Sequence, residues 1–278
     1  MVTSVVAREG ARAVLSDSAD LDDAPLRARL FVDADLAVGA PVALDPRATH
    51  YLRNVLRLGA GAELALFNGR DGEVRARLDA IGKRAAQAMV LAPRRAQRAE
   101  PDVWLLFAPV KRARIDLIVE KATELGVARL MPVITRRTAV ARVNLERLAA
   151  IAIAAAEQCE RLTVPAVAPP APLDAVLAGW PAGRRLFAAD EAGGGAPLAT
   201  VLRAAQSVTG PGAQPEPWAL LIGPEGGFAE AELDALRQFQ FVTPVGLGPR
   251  VLRADTAVTA ALAVVQSWIG DWAHPPRS

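Results

Sequence analysis

Two stretches decide the reading of this chain: Leu220-Leu221-Ile222-Gly223-Pro224-Glu225-Gly226-Gly227-Phe228, and Gly246-Leu247-Gly248-Pro249-Arg250-Val251-Leu252-Arg253-Ala254-Asp255-Thr256-Ala257. In the first, an apolar run stops at three glycines within five residues, and the helical pattern AEAELDAL follows. A continuous apolar run is what a strand covered on both faces requires. The glycines let backbone approach a ligand closely, and Pro224 stiffens the entry. The second stretch ends another apolar run in a Gly-x-Gly turn and leads into an alanine-rich helix, with Asp255 or Thr256 as the expected cap. Neither turn is a G-x-G-x-x-G or G-K-[ST] phosphate loop. Open α/β sheets bind ligands at the carboxyl ends of their strands. Two glycine-rich loops on consecutive strands therefore predict one pocket for a nucleoside-like ligand. Arg253 stands at its edge, placed to hold phosphate or substrate.

Working outward, strand and helix patterns alternate upstream of these loops. VWLLFAPV (103–110), ARLMPVIT (128–135), RRLFAAD (184–190), WALLIG (218–223) and FVTPVGLG (241–248) read as strands. RIDLIVEKATELG (114–126) places Ile115, Ile118, Val119, Ala122 and Leu125 on one helical face, with Gly126 as its stop. LERLAAIAIAAAEQCERL (145–162), AEAELDALRQF (229–239) and ADTAVTAALAVVQSWIG (254–270) are further helices. Five strands alternating with helices predict a doubly wound α/β domain over 99–278. Before it the rhythm is β-like. RLFVD (29–33), ALFNGRDGEVRARL (65–78) and AAQAMVLAP (85–93) read as strands, with a hairpin at Gly69 and Gly72. ATHYLRNVLRLGAG (48–61) reads as a short helix with a basic face, ended by Gly59. A small barrel-like domain over 25–98 follows, joined by the linker PRRAQRAEP (93–101), with residues 1–24 a flexible extension.

The 278 residues are 52% hydrophobic, ample for buried cores, and charge interrupts every apolar run well before the roughly 20 residues of a membrane span. No secretory leader pattern opens the chain, so cytoplasm is the expected location. One cysteine, Cys159, and two histidines, His50 and His274, argue against a Cys/His metal site, and no metal is expected. The net charge of +2 hides a partition: residues 24–98 carry thirteen Arg and Lys against seven Asp and Glu, whereas residues 99–278 are near neutral. A positive domain beside a neutral one suggests a polyanion partner for the first.

LLIGPEGGF (220–228) followed by LGPRVLRADTA (247–257) resembles the closing motifs of the SPOUT methyltransferases, and more narrowly those of the ribosomal RNA small subunit methyltransferase E family. FAPVKRARIDLIVEKATELGVARLMPVITRRT (107–138) is similar to that family's first strand, helix and second strand, and AAAEQCERLTVP (154–165) to its next helix and exit. RLFVD and HYLRNVLRLGAG resemble its PUA-like RNA-binding domain, so the likeness runs from about Arg29 to Trp268. The sequence departs at Cys159-Glu160, where a small polar residue and glycine are expected before Arg161, and at Asp255, where glutamate is usual.

The resemblance implies a C-terminal SPOUT α/β domain with a trefoil knot, preceded by a small PUA-like β-barrel domain. It implies S-adenosyl-L-methionine as cofactor and the N3 atom of a uridine in small-subunit (16S) ribosomal RNA as methyl acceptor. Carried over, Leu221, Ile222, Gly223, Gly226 and Gly227 form one wall of the cofactor site. Leu247, Gly248, Val251 and Leu252 form a second, and Ala189 to Glu191 a third. Arg253 is the expected catalytic residue, with Glu225 or Asp255 as proton acceptor. His50, Arg53, Arg57 and Arg70 are the expected RNA contacts. Glu120, Lys121, Thr123 and Glu124 match a family helix, although a salt-bridged face is the simpler reading of them. Ribosomal RNA or the small ribosomal subunit is the implied partner, and a homodimer is expected from the small apolar faces of helices 145–162 and 254–270. A methyltransferase acting on a ribose hydroxyl or another base, and an RNA-binding factor that has kept the fold without the activity, are the competing readings.

Overall fold

The computed structural model describes residues 26–140, 142–191, 193–206 and 217–272. The expected extension over 1–24 lies outside the described residues. The chain divides into two compact units: the first takes in the described residues up to Leu66 and Val74–Pro93, the second Phe67–Glu73 and the chain from Arg94 onward.

The first unit is built on a sheet of β1 (Arg29–Phe31), β2 (Pro41–Leu44), β3 (Glu63–Phe67), β4 (Glu73–Ile81) and β5 (Ala86–Arg95), in the order β1-β3-β4-β5-β2. β2 is a finding, since GAPVAL offers only four residues of strand pattern. Its proline opens an edge strand, where a missing N–H costs no ladder bond. Alternate residues Val42, Leu44, Leu64, Leu66, Val74, Ala76, Leu78, Ala88 and Val90 form the core, with Leu52 from the helical connection. Helix α1 (Pro46–His50) starts where the Asp45 carboxylate accepts the Ala48 N–H at 2.6 Å. It widens into a π-helical turn over Tyr51–Val55, closed by Leu56 N–H on the Tyr51 carbonyl. The left-handed stop is Arg57, at φ +55°, and not Gly59 as expected. The wide turn holds more residues than an α-helical one and so shifts the helical phase, and Val55 is exposed. β5 also takes in the first three residues of the stretch read as linker, Pro93 to Arg95.

In the second unit β6 (Val103–Phe107), β7 (Arg129–Ile134), β8 (Ala166–Val167), β9 (Ala171–Pro172), β10 (Arg185–Ala189), β11 (Ala196–Pro197), β12 (Trp218–Ile222) and β13 (Val242–Gly246) form a parallel sheet. The order is β11-β13-β10-β12-β6-β7-β8, with β9 also on β7. The five long strands are those read from the sequence. Helices α2 (Arg112–Glu124), α3 (Leu145–Gln158), α4 (Leu173–Ala178), α5 (Leu198–Gln206), α6 (Glu230–Gln238) and α7 (Ala254–Ile269) cover it. α4 and α5 go beyond the helices the sequence pattern predicts; α4 is short, and α5 follows the glycine run 193–195, which obscures its start.

One core, on one side of the sheet, joins Leu105, Phe107, Ile118, Val119, Ala122, Val258, Leu262 and Val265. The other side packs Leu106, Leu186, Ala219, Leu221, Phe228 and Leu236. The alternation along WALLI, with Leu220 in one cluster and Leu221 in the other, is the strand period at work. α3 packs on α2, and α7 on α2 and α5, so much of the small apolar surface of α3 and α7 is used within the chain.

Candidate active site

The chain enters the sheet at β6, steps out to β7, and returns to lay β10, β12 and β13 side by side, so that three strand-end loops meet at one carboxyl edge. They enclose a cavity of about 440 Å³, within the range of sites that hold a nucleoside-sized ligand. The loop after β10 contributes Ala189, Asp190, Glu191, Gly193, Gly195 and Pro197. The loop after β12 contributes Ile222, Gly223, Pro224, Glu225, Gly227 and Phe228. The run from Val245 to Leu252, with Ala254 and Ala257, closes it.

Close backbone approach shapes the walls. An added Cβ at Gly195 would overlap the Val245 nitrogen and lie 2.6 Å from the Pro244 carbonyl carbon, so only glycine lets the first loop lie on β13. Gly227 has φ +66°, and a Cβ there would overlap the Glu191 carboxylate. Its N–H closes a turn on the Pro224 carbonyl at 2.9 Å. Phe228 is buried and its ring covers Gly223, where an added Cβ would stand only 2.9 Å from the ring's Cε2. Asp190 is 6% exposed, its N–H on the Val245 carbonyl, and the Arg237 guanidinium lies 3.4 Å from its carboxylate.

Of the residues singled out in the sequence, Ala189, Asp190, Glu191, Ile222, Gly223, Glu225, Gly227, Leu247, Gly248, Val251 and Leu252 line the cavity. Leu221 does not, because its side chain points into the opposite core. Gly226 faces away, its carbonyl accepting from Arg137 Nη1 at 2.8 Å. Val251 is 81% exposed despite its apolar side chain. Arg253 is exposed at the start of α7 and is itself the N-cap residue, through its backbone. Asp255 is thus inside the first turn, contrary to the expected cap, where a carboxylate favours the helix dipole. Glu225 pairs with Arg114 at 3.3 Å. Gly193, Gly195, Pro197 and Phe228 also line the cavity and lie outside the sequence expectation; the glycine run 193–195 is the one signal the sequence offers for them.

In the first unit His50, Arg53 and Arg57 are exposed along α1 and its π-helical extension, beside the exposed Tyr51. Arg70 is exposed at the tip of the β3–β4 hairpin, in the stretch that belongs to the second unit. Part of the basic excess is consumed internally: Arg75 pairs with Glu63 at 2.7 Å, and Arg94 and Arg95 both hold the fully buried carboxylate of Glu73. In α2, Lys121 lies 2.8 Å from Glu120 and 2.9 Å from Glu124, and hydrogen bonds to Glu120 and then Glu124 push its ammonium pKa up to about 12. Thr123 is buried with its hydroxyl on the Val119 carbonyl. This is a salt-bridged face. Among the described residues no group of three or more His, Cys, Asp or Glu is arranged to hold a metal ion, and no helix is long and apolar enough to cross a membrane.

Comparison with known proteins bears on the whole arrangement. Residues 98–266 match the model of an RNA methyltransferase domain, and residues 44–91 that of an RNA methyltransferase PUA domain. The chain is 30% identical over 239 residues to the ribosomal RNA small subunit methyltransferase E of Rickettsia conorii, covering 86% of this chain and 94% of that protein. The Mycobacterium bovis protein of the same name is 30% identical over 87% of this chain and 92% of its own length. Among solved structures, a Neisseria gonorrhoeae ribosomal RNA small subunit methyltransferase E bound to S-adenosyl methionine superimposes with a TM-score of 0.76 at 28% identity, covering 88% of this chain and 99% of that one. With a PUA domain in front, a parallel-sheet domain behind and glycine-rich loops closing one cavity, the chain belongs to the ribosomal RNA small subunit methyltransferase E family of RNA methyltransferases.

Proposed function

We propose that this protein transfers a methyl group from S-adenosyl-L-methionine to the N3 atom of a uridine in small-subunit ribosomal RNA. The carrying observation is the cavity where the loops after β10, β12 and β13 meet. Its residues suit that cofactor. Ile222, Leu247, Leu252 and Ala257 offer an apolar slot, and the glycines offer main-chain donors and acceptors at close range. Glu225 and Glu191 bring carboxylates to a rim that meets a cation. The cofactor supplies an electrophilic methyl group, and no metal is called for in this scheme.

The chain's own part is alignment, exclusion of water and handling of one proton. Uridine N3 is protonated at neutral pH, so the N3–C bond forms as the S–C bond breaks and the N3 proton leaves. Arg253, exposed at the cavity's edge, stabilises negative charge on the uracil oxygens. Glu225 or Asp255 takes the proton. Glu225 lines the cavity, which favours it, while Asp255 spends one oxygen on the Thr256 N–H at 3.0 Å. In this reading the front domain, residues 25–98, holds RNA through His50, Arg53 and Arg57, with Arg70 adding a contact from the hairpin tip. Arginine at phosphates gives affinity without sequence, so the base is chosen by RNA shape and by its being splayed out.

The same reading includes a trefoil knot, for which the placing of β13 beyond β10 and the return of α7 to β12 and α2 speak. It includes a homodimer, to which the exposed Val251 beside the cavity lends an apolar contact. It also includes action in the cytoplasm, where ribosomal RNA is assembled. Mass spectrometry of nucleosides from small-subunit RNA, with and without the gene, tests the central claim. Loss of N3-methyluridine on deletion is expected, and an unchanged nucleoside set would overturn it. Light scattering tests the dimer.

A further inference from the structure

We propose that Arg137 is a positioning residue for the methyl-donor site, acting from outside the cavity by holding the loop 223–228 in its binding shape. Five of that loop's six residues line the cavity, and Gly226 is the exception. Arg137 Nη1 donates to the outward Gly226 carbonyl at 2.8 Å, and the arginine's stem lies 3.7 Å from where a Cβ of Gly226 would stand. A charged donor on a main-chain carbonyl is among the stronger hydrogen bonds a loop can make.

The arginine is itself held. Thr135 and Thr138 tie their short turn together: the Thr135 N–H donates to the Thr138 hydroxyl at 2.8 Å, and the Thr138 N–H to the Thr135 carbonyl at 3.1 Å. The Arg136 N–H then donates to Glu232 Oε1 at 2.8 Å, while Glu232 Oε2 accepts the Ala229 N–H at 2.9 Å. One carboxylate therefore bridges the turn after β7 and the far end of the donor loop. Arg114 grips the adjacent residue, Glu225, from the start of α2. The loop after β12 is thus clamped by its neighbours after β6 and β7, none of which lines the cavity. A glycine-rich loop is entropically costly to order, and a clamp placed beforehand removes part of that cost from ligand binding.

This inference rests on the reading of the cavity as the S-adenosylmethionine site. The test is isothermal titration of the full-length protein with S-adenosylmethionine in the absence of RNA, for wild type, Arg137→Ala and Arg137→Lys, with thermal melts alongside. Arg137→Ala is expected to weaken binding about tenfold, with Arg137→Lys intermediate and the KM for RNA at saturating cofactor unchanged. Wild-type affinity in Arg137→Ala overturns the proposal, as does a raised RNA KM with cofactor affinity intact, which would make Arg137 an RNA contact. If Arg137→Ala fails to fold, Arg137→Lys decides alone: affinity equal to wild type overturns the proposal, and weaker binding by a stably folded variant supports it. Absence of binding by the wild type would instead sink the assignment of the cavity, a separate failure.

Discussion

Glu191 occupies the space that a side chain at Gly227 would need: a Cβ built on that glycine lies 2.7 Å from the Glu191 carboxyl carbon and overlaps one of its oxygens. The loops after β10 and β12 therefore meet side chain to bare backbone, and the adjacent Gly226 has no such neighbour. Gly227→Ala must adopt φ +66° and expel Glu191, so a stability loss of about 1 kcal/mol or more and a large fall in cofactor affinity are expected. Gly226→Ala meets only the Arg137 stem at ordinary contact distance and should stay close to wild type. Melting curves and cofactor titration of the two variants check this. Equal damage at both positions would contradict it.

Arg253 makes no side-chain hydrogen bond or ion pair among the described residues, and it caps α7 only through its carbonyl, which accepts the Ala257 N–H at 2.8 Å. Truncation should leave fold and cofactor binding intact. Arg253→Ala is expected to lose about 10²–10³ of methyl transfer in a single-turnover assay, the usual scale for removing one donor to a developing anion. Unchanged single-turnover rates would remove it from the chemistry.

For RNA, the informative pair is Arg53 and Arg57, exposed on and just after the π-helical turn. Arg53→Glu with Arg57→Glu should weaken RNA binding and flatten its salt dependence by about one unit of slope for each phosphate contact removed. Cofactor affinity should not move. A double variant that binds RNA with the wild-type salt slope would place the RNA surface elsewhere.

These residues also show how far sequence reaches. The five long strands and their helices were legible because buried parallel strands leave continuous apolar runs, and glycine marks where they stop. Leu221 shows the limit: membership in a motif does not say which way a side chain points, and the strand's period of two turns it from the cavity. Arg137 and Glu232 were invisible for another reason. Their partners are main-chain groups 89 and 96 residues away in the chain, a carbonyl for Arg137 and an N–H for Glu232, and a backbone group leaves no mark in a sequence. The stop at Arg57 depended on a wide helical turn that periodicity cannot separate from an α-helical one.

The departure at Glu160 carries a prediction free of any functional reading. α3 ends at Gln158, and Glu160 two residues on has φ +62°, the left-handed region, at the position where the family resemblance expects glycine. A side chain there costs on the order of 1 kcal/mol. The carboxylate is 60% exposed at 3.9 Å from Arg95, a distance at which an ion pair contributes little, and Arg95 also donates to the Glu160 carbonyl at 2.9 Å. Glycine keeps that carbonyl and relieves the strain, although it adds freedom to the unfolded chain. Glu160→Gly should therefore be neutral to stabilising, by up to about 1 kcal/mol, in a reversible denaturant titration. A clear loss of stability would mean that the side chain, and not the backbone, holds this helix exit.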